Sequence, residues 1–214
     1  MVIRSYAEEC NEIKQFFETA KEKLSRGQNE EAAELFSKVA SSYLATDEER
    51  KSSFNQLIQL ADQNCINALK ACSYIYQYGK HGWIDREFVK EDGSLERIYL
   101  EGFTVVEPDG KKAVAYMEKA AEMQDLEAME NCGYLYEEGK VVPKDLQKAF
   151  AYYLACAEKG YKNTQSVVAG MYLNGEGVKR SKRKAKYWYQ KAAENGDVFA
   201  RNMLKKLKVF SLFG

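Results

Sequence analysis

Apolar and small residues recur through most of this chain at the spacing of three and four positions that marks one face of a helix. Between 47 and 63, for example, Leu57, Leu60 and Ala61 share a helical face. Only two prolines occur in 214 residues, so long helices are permitted. The segment from 80 to 108 departs from this pattern, because β-branched and aromatic residues replace the alanine-rich face. The pattern predicts an all-α fold with one inserted segment.

A period of 36 residues runs through the second half of the chain. The stretches AVAYMEKAAEMQD, AFAYYLACAEKGY and AKYWYQKAAENGD begin at Ala113, Ala149 and Ala185. A block of tyrosine and glycine repeats in front of each stretch, so every repeat predicts two helices. The first helix ends at a glycine that acts as a C-cap, and the second begins at an N-cap residue. We expect these N-caps to be Asp109, Asp145 and Ser181, and we expect Asp47 to cap the helix that precedes the repeats.

The spacing of the tyrosine blocks locates an insertion in the first repeat. Tyr136 and Tyr172 lie 36 residues apart, whereas Tyr76 lies 60 residues before Tyr136, which leaves 60 − 36 = 24 extra residues. Within them, Asp92-Gly93 is a strong turn signal between two apolar runs. We therefore expect a β-hairpin or an extended loop that packs on the helices or on a partner. Its aromatic anchors are Trp83, Phe88, Tyr99 and Phe103.

The repeated small and aromatic positions are expected to build the core. Cys72 and Cys132 recur as Val168, and Cys156 recurs between Ala120 and Ala192, so these cysteines are predicted to be buried packing residues. Two rows of aromatic residues should fill the gaps between helices: Tyr76, Tyr136 and Tyr172 in one row, and Tyr116, Tyr153 and Tyr189 in the other.

The last copy resembles the Sel1-like repeat family. Its Ala169-Gly170-Met171-Tyr172, Gly175-Glu176-Gly177-Val178 and Lys191-Ala192-Ala193-Glu194-Asn195-Gly196 follow the family consensus, and the similarity extends over residues 64 to 200. The string FETAKEKLSRGQNEEAAELFSKVA near the start resembles a tetratricopeptide repeat. The resemblance implies an α/α superhelical solenoid of about ten helices in antiparallel pairs, with an extended concave face. It also implies a scaffold or adaptor that binds a protein.

The predicted organisation is one helical repeat domain. Its parts are tetratricopeptide-like helices at 5–63, a first Sel1-like repeat at 64–125 with its insertion at 80–108, a second at 126–161, a third at 162–197, and a capping helix and tail at 198–214. The resemblance places the first helix of each repeat on the concave face. Positions there that vary between repeats are candidate partner contacts. They are Tyr74, Tyr78, Tyr134, Glu137, Glu138, Met171 and Asn174.

Catalysis has little support in the sequence. The single histidine, His81, has no partner at a recognisable spacing, and no nucleophile, phosphate-binding or zinc motif occurs. The five cysteines contain no C-x-x-C pair, which favours a reduced chain without a zinc site. We expect no enzyme activity, no metal, no cofactor and no small-molecule substrate. A thiol-dependent enzyme remains an alternative that only His81 and the cysteines favour.

Charge leaves one further alternative open. The chain has 32 basic and 32 acidic residues, so no overall field attracts nucleic acid or membrane. From Gly177 onward, however, eleven basic residues outnumber two acids, a difference of 11 − 2 = +9. This run could bind an anionic surface or nucleic acid, although an acidic protein surface suits it better. The segment MVIRSYAEEC lacks the apolar core of a secretory signal, and no membrane span occurs, so we expect a cytoplasmic protein.

These observations favour a non-catalytic interaction module that binds a protein through its concave face and insertion. A more specific hypothesis is an adaptor, or a bacterial immunity protein that neutralises a toxin or effector. The alternatives are the anionic-surface binder and the thiol-dependent enzyme.

Overall fold

A computed structural model describes residues 6–79, 84–89, 95–100 and 105–210 of this chain, with side chains from 8 to 79 and from 105 to 207. The described residues form ten helices and one two-stranded sheet. In chain order they are α1 (Tyr6–Ser25), α2 (Asn29–Ala40), α3 (Asp47–Asp62), α4 (Ile66–Tyr78), β1 (Ile84–Val89), β2 (Leu95–Leu100), α5 (Gly110–Glu122), α6 (Leu126–Glu138), α7 (Leu146–Glu158), α8 (Lys162–Asn174), α9 (Lys182–Glu194) and α10 (Val198–Phe210). The predicted helical fold and its number of helices are confirmed.

The chain divides into two compact units, Met1–Ala120 and Ala121–Gly214. In the first unit, α1 to α4 pack each on the next, and α2 also contacts α4. In the second unit, α6 to α10 pack in the same successive manner. Because only short turns join these neighbours, each consecutive pair is antiparallel.

The inserted segment contains β1 and β2, which pair antiparallel. Ile84 lies opposite Leu100 and Val89 lies opposite Leu95, so every residue of one strand has a partner on the other. Asp92-Gly93 falls in the connection between the strands, outside the described residues.

Side-chain caps define where the repeat helices begin. Asp145 accepts hydrogen bonds from the backbone N–H groups of Gln147 and Lys148 at 3.1 and 3.0 Å, and Ser181 accepts from Lys184 N–H at 3.3 Å. These predicted N-caps are confirmed, as is Asp109, which accepts from Lys111 and Lys112 in the same way. The first helices of the second and third repeats end at glycines with left-handed backbone, Gly139 and Gly175.

The prediction that Asp47 caps α3 is wrong by one residue. Thr46 is the N-cap, because its hydroxyl accepts from Glu49 N–H at 3.2 Å while the Glu49 carboxylate accepts from Thr46 N–H at 2.8 Å. In this reciprocal capping box each of the two residues satisfies a backbone donor of the other.

The equivalent small positions are buried as predicted. Their members are all 0% exposed: Cys72, Cys132 and Val168 on the first helices, and Ala120, Cys156 and Ala192 on the second. Small side chains here let neighbouring helices approach closely.

The second row of tyrosines has a different register from the one we predicted. Tyr76 stacks on Tyr116 with ring centroids 5.7 Å apart, and Tyr136 stacks on Tyr152 at 6.2 Å. Tyr116 is therefore equivalent to Tyr152, which lies 36 residues later, and not to Tyr153. A one-residue shift turns a side chain by about 100° around a helix, so the two positions serve different contacts.

The two helices of each repeat are joined by a bond that recurs three times. The N-cap N–H donates to the carbonyl of the repeated tyrosine: Asp109 to Tyr76 at 2.8 Å, Asp145 to Tyr136 at 2.9 Å, and Ser181 to Tyr172 at 2.7 Å. We call this the joint bond. It sets where the second helix starts, whatever lies between the two residues.

A lysine in the first turn of each second helix lies over the same tyrosine ring. The ammonium-to-centroid distances are 5.1 Å for Lys112 and Tyr76, 4.7 Å for Lys148 and Tyr136, and 5.0 Å for Lys184 and Tyr172. At this range a cation attracts the face of the ring. Each of these three lysines therefore has a structural role within its own repeat.

Candidate protein-interaction surface

Two half-exposed tyrosines lie side by side on α4. Tyr74 and Tyr78 are 49% and 51% exposed, and their ring centroids are 4.7 Å apart. They are four residues apart, so they share one face of the helix. Gln77 donates a hydrogen bond from Nε2 to the Tyr78 hydroxyl at 3.2 Å, which helps to hold that ring in place. About half of each tyrosine is therefore open to a partner.

A groove of about 340 Å³ lies between α2 and α4 in the same unit. The α4 wall of this groove continues into the tyrosine pair. Residues three or four positions apart share one helix face, and this spacing links Asn67, Lys70, Tyr74 and Tyr78. Glu34 pairs with Lys38 at 2.9 Å on the α2 wall, and this lysine lowers the pKa of the Glu34 carboxyl. We call this surface the α4 face; its residues are Glu34, Ser37, Lys38, Asn67, Lys70, Ala71, Tyr74 and Tyr78.

The inserted segment leaves the helical array directly beside this patch. Gly79 follows Tyr78 and has a φ of +57°, and its carbonyl accepts a hydrogen bond from Val105 N–H at 3.3 Å. A Cβ on Gly79 would lie 2.6 Å from Pro108, so the two ends of the insertion are close together. The insertion therefore begins and ends at the carboxyl end of the α4 face.

In the second unit, α6 carries a different version of this surface. Tyr134 is 50% exposed, Glu138 pairs with Lys140 at 2.5 Å, and that lysine lowers the Glu138 pKa. Glu137 is half-buried and accepts a hydrogen bond from the Tyr153 hydroxyl at 2.9 Å. Of these candidates, Tyr134 and Glu138 are available to a partner, whereas Glu137 is also tied to the helix behind it.

Met171 does not lie on the surface that the sequence analysis assigned to it. It is 2% exposed and belongs to the core of α8. In the repeat register Met171 corresponds to the buried Leu135, and the position equivalent to Tyr134 is Gly170. The candidate Asn174 is exposed and donates to the Glu176 carboxylate at 3.2 Å.

Several predicted contacts fall where no comparison is possible. Trp83 and Phe103 lie outside the described residues, as does His81. Phe88 belongs to β1 and Tyr99 to β2, but their side chains also lie outside the described part of the chain.

Sequence reasoning missed the groove residues of α2 and α4. Asn67 and Lys70 lie seven and four residues before Tyr74, so helical spacing could have found them. Glu34 and Lys38 could not have been found in this way, since only the packing of α2 on α4 brings them to the same surface.

The buried thiols are poorly suited to catalysis. Burial raises the pKa of Cys65 to about 11 and that of Cys72 to about 12, and it also raises the pKa of Cys156. Because the thiolate is the nucleophile, these groups are protonated and unreactive at neutral pH. Within the described ranges, no cluster of three or more histidine, cysteine or acidic side chains could hold a metal ion. Among the helices that the structure describes, none has the length and hydrophobicity of a membrane span.

Comparisons with known proteins agree with this architecture. A family model described as the Sel1 repeat matches residues 93–125, 126–161 and 165–197. A protective antigen of uropathogenic Escherichia coli strains that displays an SLR fold is 26% identical with a TM-score of 0.63, and the match covers 88% of this chain and 35% of that one. This chain thus spans about a third of that structure's length.

A second solved structure is a Sel1 repeat protein from Oxalobacter formigenes. It is 25% identical with a TM-score of 0.52, and the match covers 71% of this chain and 96% of that one. No curated protein sequence matches this chain.

Proposed function

We propose that this chain, which carries three Sel1 repeats, is a non-catalytic module that binds a protein partner through the α4 face and the insertion. Proteins built from Sel1 repeats are generally protein-interaction modules. The observation that carries the proposal is the half-exposed pair of Tyr74 and Tyr78 at the base of the insertion. Tyr134 and Glu138 of α6 belong to the second unit and are separate candidate contacts.

The chemistry of the α4 face suits a protein partner. Tyrosine is enriched among residues that dominate binding energy, because it buries a large ring while its hydroxyl keeps a polar partner. The charged and amide groups of the adjoining groove supply hydrogen bonds around that centre. An aromatic centre with a polar rim is the usual anatomy of a specific interface.

The variation between repeats supports the same conclusion. The position of Tyr78 is occupied by Glu138 in the second repeat and by Asn174 in the third. All three residues are exposed and follow the same helical frame. Different chemistry at one exposed position of a constant frame is what selectivity for a partner requires.

The test compares three purified forms with the intact chain as baits in a native lysate. One form carries Tyr74→Ala and Tyr78→Ala. The second lacks residues 80–103, which leaves five residues between Gly79 and Asp109 and so preserves the joint bond. The control carries Val198→Ala and Phe199→Ala, which removes apolar groups of similar exposure from α10. Binding constants for the captured protein are then measured with purified components.

We expect the tyrosine double variant to weaken binding by at least about 30-fold, as loss of a central hot spot does, while the control stays within about twofold. Deletion of 80–103 should also weaken binding. Equal affinity of the intact chain, the tyrosine variant and the deletion variant would refute the proposal.

The immunity and adaptor roles are two forms of this proposal, and one measurement separates them. If the partner is a toxin or effector that this chain neutralises, a stoichiometric amount of the chain abolishes the partner's activity. If the chain is an adaptor, the partner keeps its activity and gains a second bound protein. The Tyr74→Ala, Tyr78→Ala variant should lose whichever effect is found.

A further inference from the structure

The turn between α8 and α9 is built on a rigid backbone. Gly175 N–H and Glu176 N–H both donate to the Met171 carbonyl, at 2.8 and 3.0 Å. Gly177 lies so close to the start of α7 that a Cβ there would be 1.9 Å from the Leu146 carbonyl oxygen. The joint bond of Ser181 closes the turn. Side chains on this turn are therefore presented from a fixed frame.

The same stretch is far more basic than its equivalents in the other two repeats. Residues 177–193 contain seven cations and no acid, a net charge of +7. The equivalent window 141–157 contains two cations and one acid, or 2 − 1 = +1, and 105–121 contains three of each, or 3 − 3 = 0. The two-helix repeat does not need this charge to fold, because the other two copies fold without it.

Three of the seven cations have structural partners. Lys184 lies over the Tyr172 ring, as its equivalents do in the other repeats, and Arg180 donates from Nε to the Leu173 carbonyl at 2.8 Å. A third, Lys191, lies over Tyr187 and Trp188. The four that remain are exposed, and none of the ion pairs found between described residues involves them: Lys179, Lys182, Arg183 and Lys186. We call these four residues the basic corner.

The basic corner is unfavourable for the helix that carries it. Lys182 and Arg183 lie in the first turn of α9, where the helix dipole disfavours positive charge. Lys182 and Lys186 are four residues apart, so their like charges repel across one turn. The N-cap here is the neutral Ser181, whereas the two equivalent helices begin with Asp109 and Asp145. Residues that destabilise the helix carrying them, without a compensating contact nearby, are typical of functional sites.

An exposed aromatic residue adjoins the corner. Tyr187 is 50% exposed, one position after Lys186 and four after Arg183, and the equivalent residue in the second repeat is Ala151. Lys186 is exposed, whereas its equivalent, Phe150, packs edge-on against Tyr172 with ring centroids 5.0 Å apart. Compared with the second repeat, the third therefore has an exposed lysine and an exposed tyrosine next to each other.

We propose that the basic corner, together with Tyr187, binds an acidic segment of a protein, rich in aspartate and glutamate. Arginine and lysine recognise carboxylates through charge-assisted hydrogen bonds, and arginine and tyrosine are both typical of interface hot spots. A nucleic acid fits less well, because the chain has no net charge and the corner has one exposed aromatic ring instead of a series for base stacking. The proposal does not depend on the α4 face.

The test uses a fluorescein-labelled peptide of about ten glutamates in about 50 mM salt, where surface charges are weakly screened. Fluorescence anisotropy gives its affinity for the intact chain, for a corner variant with Lys179, Lys182, Arg183 and Lys186 changed to alanine, and for a matched variant. The matched variant loses the same charge from four exposed lysines elsewhere, namely Lys51, Lys111, Lys159 and Lys162. A labelled single-stranded oligothymidine of equal charge is measured in parallel.

We expect the corner variant to bind the peptide at least about tenfold more weakly, and the matched variant to bind within about twofold of the intact chain. The thermal midpoint of the corner variant should be unchanged or slightly higher, because the unfavourable charges at the start of α9 are gone. An equal loss in both variants would show that only net charge matters and would overturn the proposal. Tighter binding of the oligothymidine, lost in the corner variant alone, would overturn it in favour of a nucleic-acid surface.

Discussion

The first and third repeats join their two helices through linkers of very different length and still close them with the same bond. From Gly79 to Asp109 the chain advances 30 residues, whereas from Gly175 to Ser181 it advances six. The joint bond measures 2.8 Å in the first repeat and 2.7 Å in the third. The repeat therefore constrains the two ends of the linker, whereas the length and sequence of the linker are free to vary.

The two linkers use this freedom differently. The first repeat inserts two antiparallel strands into the linker that follows α4, whereas the third keeps the short turn but surrounds it with cations. Both changes leave the buried small positions and the tyrosine–lysine contact intact. The comparison indicates that the repeated helices and their joint bond set stability, whereas the linkers and the exposed helix face are free to vary.

The largest effect should come from the short linker. Gly177→Ala forces a side chain into a backbone with φ +65° and against the Leu146 carbonyl, which should lower the free energy of unfolding by about 3 kcal/mol. Gly160 also has a positive φ, +87°, but a Cβ there would meet no atom within 4 Å, so Gly160→Ala should cost about 1 kcal/mol. Urea unfolding of both variants checks this, and equal losses would show that contact with α7 does not constrain the turn.

A smaller effect is expected inside the frame of the second repeat. A Cβ on Gly133 would lie 2.6 Å from the Tyr153 ring, so Gly133→Ala should cost about 2 kcal/mol. The first repeat has Met117 at the position of Tyr153. Tyr153→Met should therefore relieve part of the clash, with a coupling of about 1 kcal/mol in a double-mutant cycle. Strictly additive losses would contradict the packing argument.

Removal of the long linker should change stability little. Deleting residues 80–103 gives the first repeat a linker as short as that of the third. A fivefold shorter loop lowers the entropic cost of closure by about 1.4 kcal/mol, so the variant should be as stable as the intact chain or slightly more stable. Chemical denaturation measures this. A loss of more than about 2 kcal/mol would mean that the insertion contributes to the frame, and the comparison would fail.

The smallest effect should be shared by all three repeats. Lys112→Met, Lys148→Met and Lys184→Met each remove a cation from the face of a repeated tyrosine, and each should cost about 0.5 kcal/mol. The three values should agree within error if the contact belongs to the frame. A measurable loss in only one repeat would show that the contact is local to it.

Prediction from the sequence succeeded where a feature repeats. The burial of Cys72 and Cys132, the caps at Asp145 and Gly139, and the insertion itself all follow from one period of 36 residues. It failed where a shift of one residue changes the face of a helix. Met171 was predicted to be exposed, but Gly170 holds the position equivalent to the exposed Tyr134, and Met171 is buried. Periodicity alone does not say which face of a helix is covered.

The sequence by itself determined the helical repeat, the site of the insertion and the excess of positive charge near α9, because spacing and composition are properties of the chain alone. Only the tertiary structure decided which charges are already used and which surface is open. Lys184 and Lys186 are both lysines of α9, yet one lies over a tyrosine ring and the other faces solvent. The groove beside Tyr74 likewise depends on the packing of α2 against α4. Contacts between distant residues are set by how helices pack, and packing depends on three-dimensional shape rather than on local spacing.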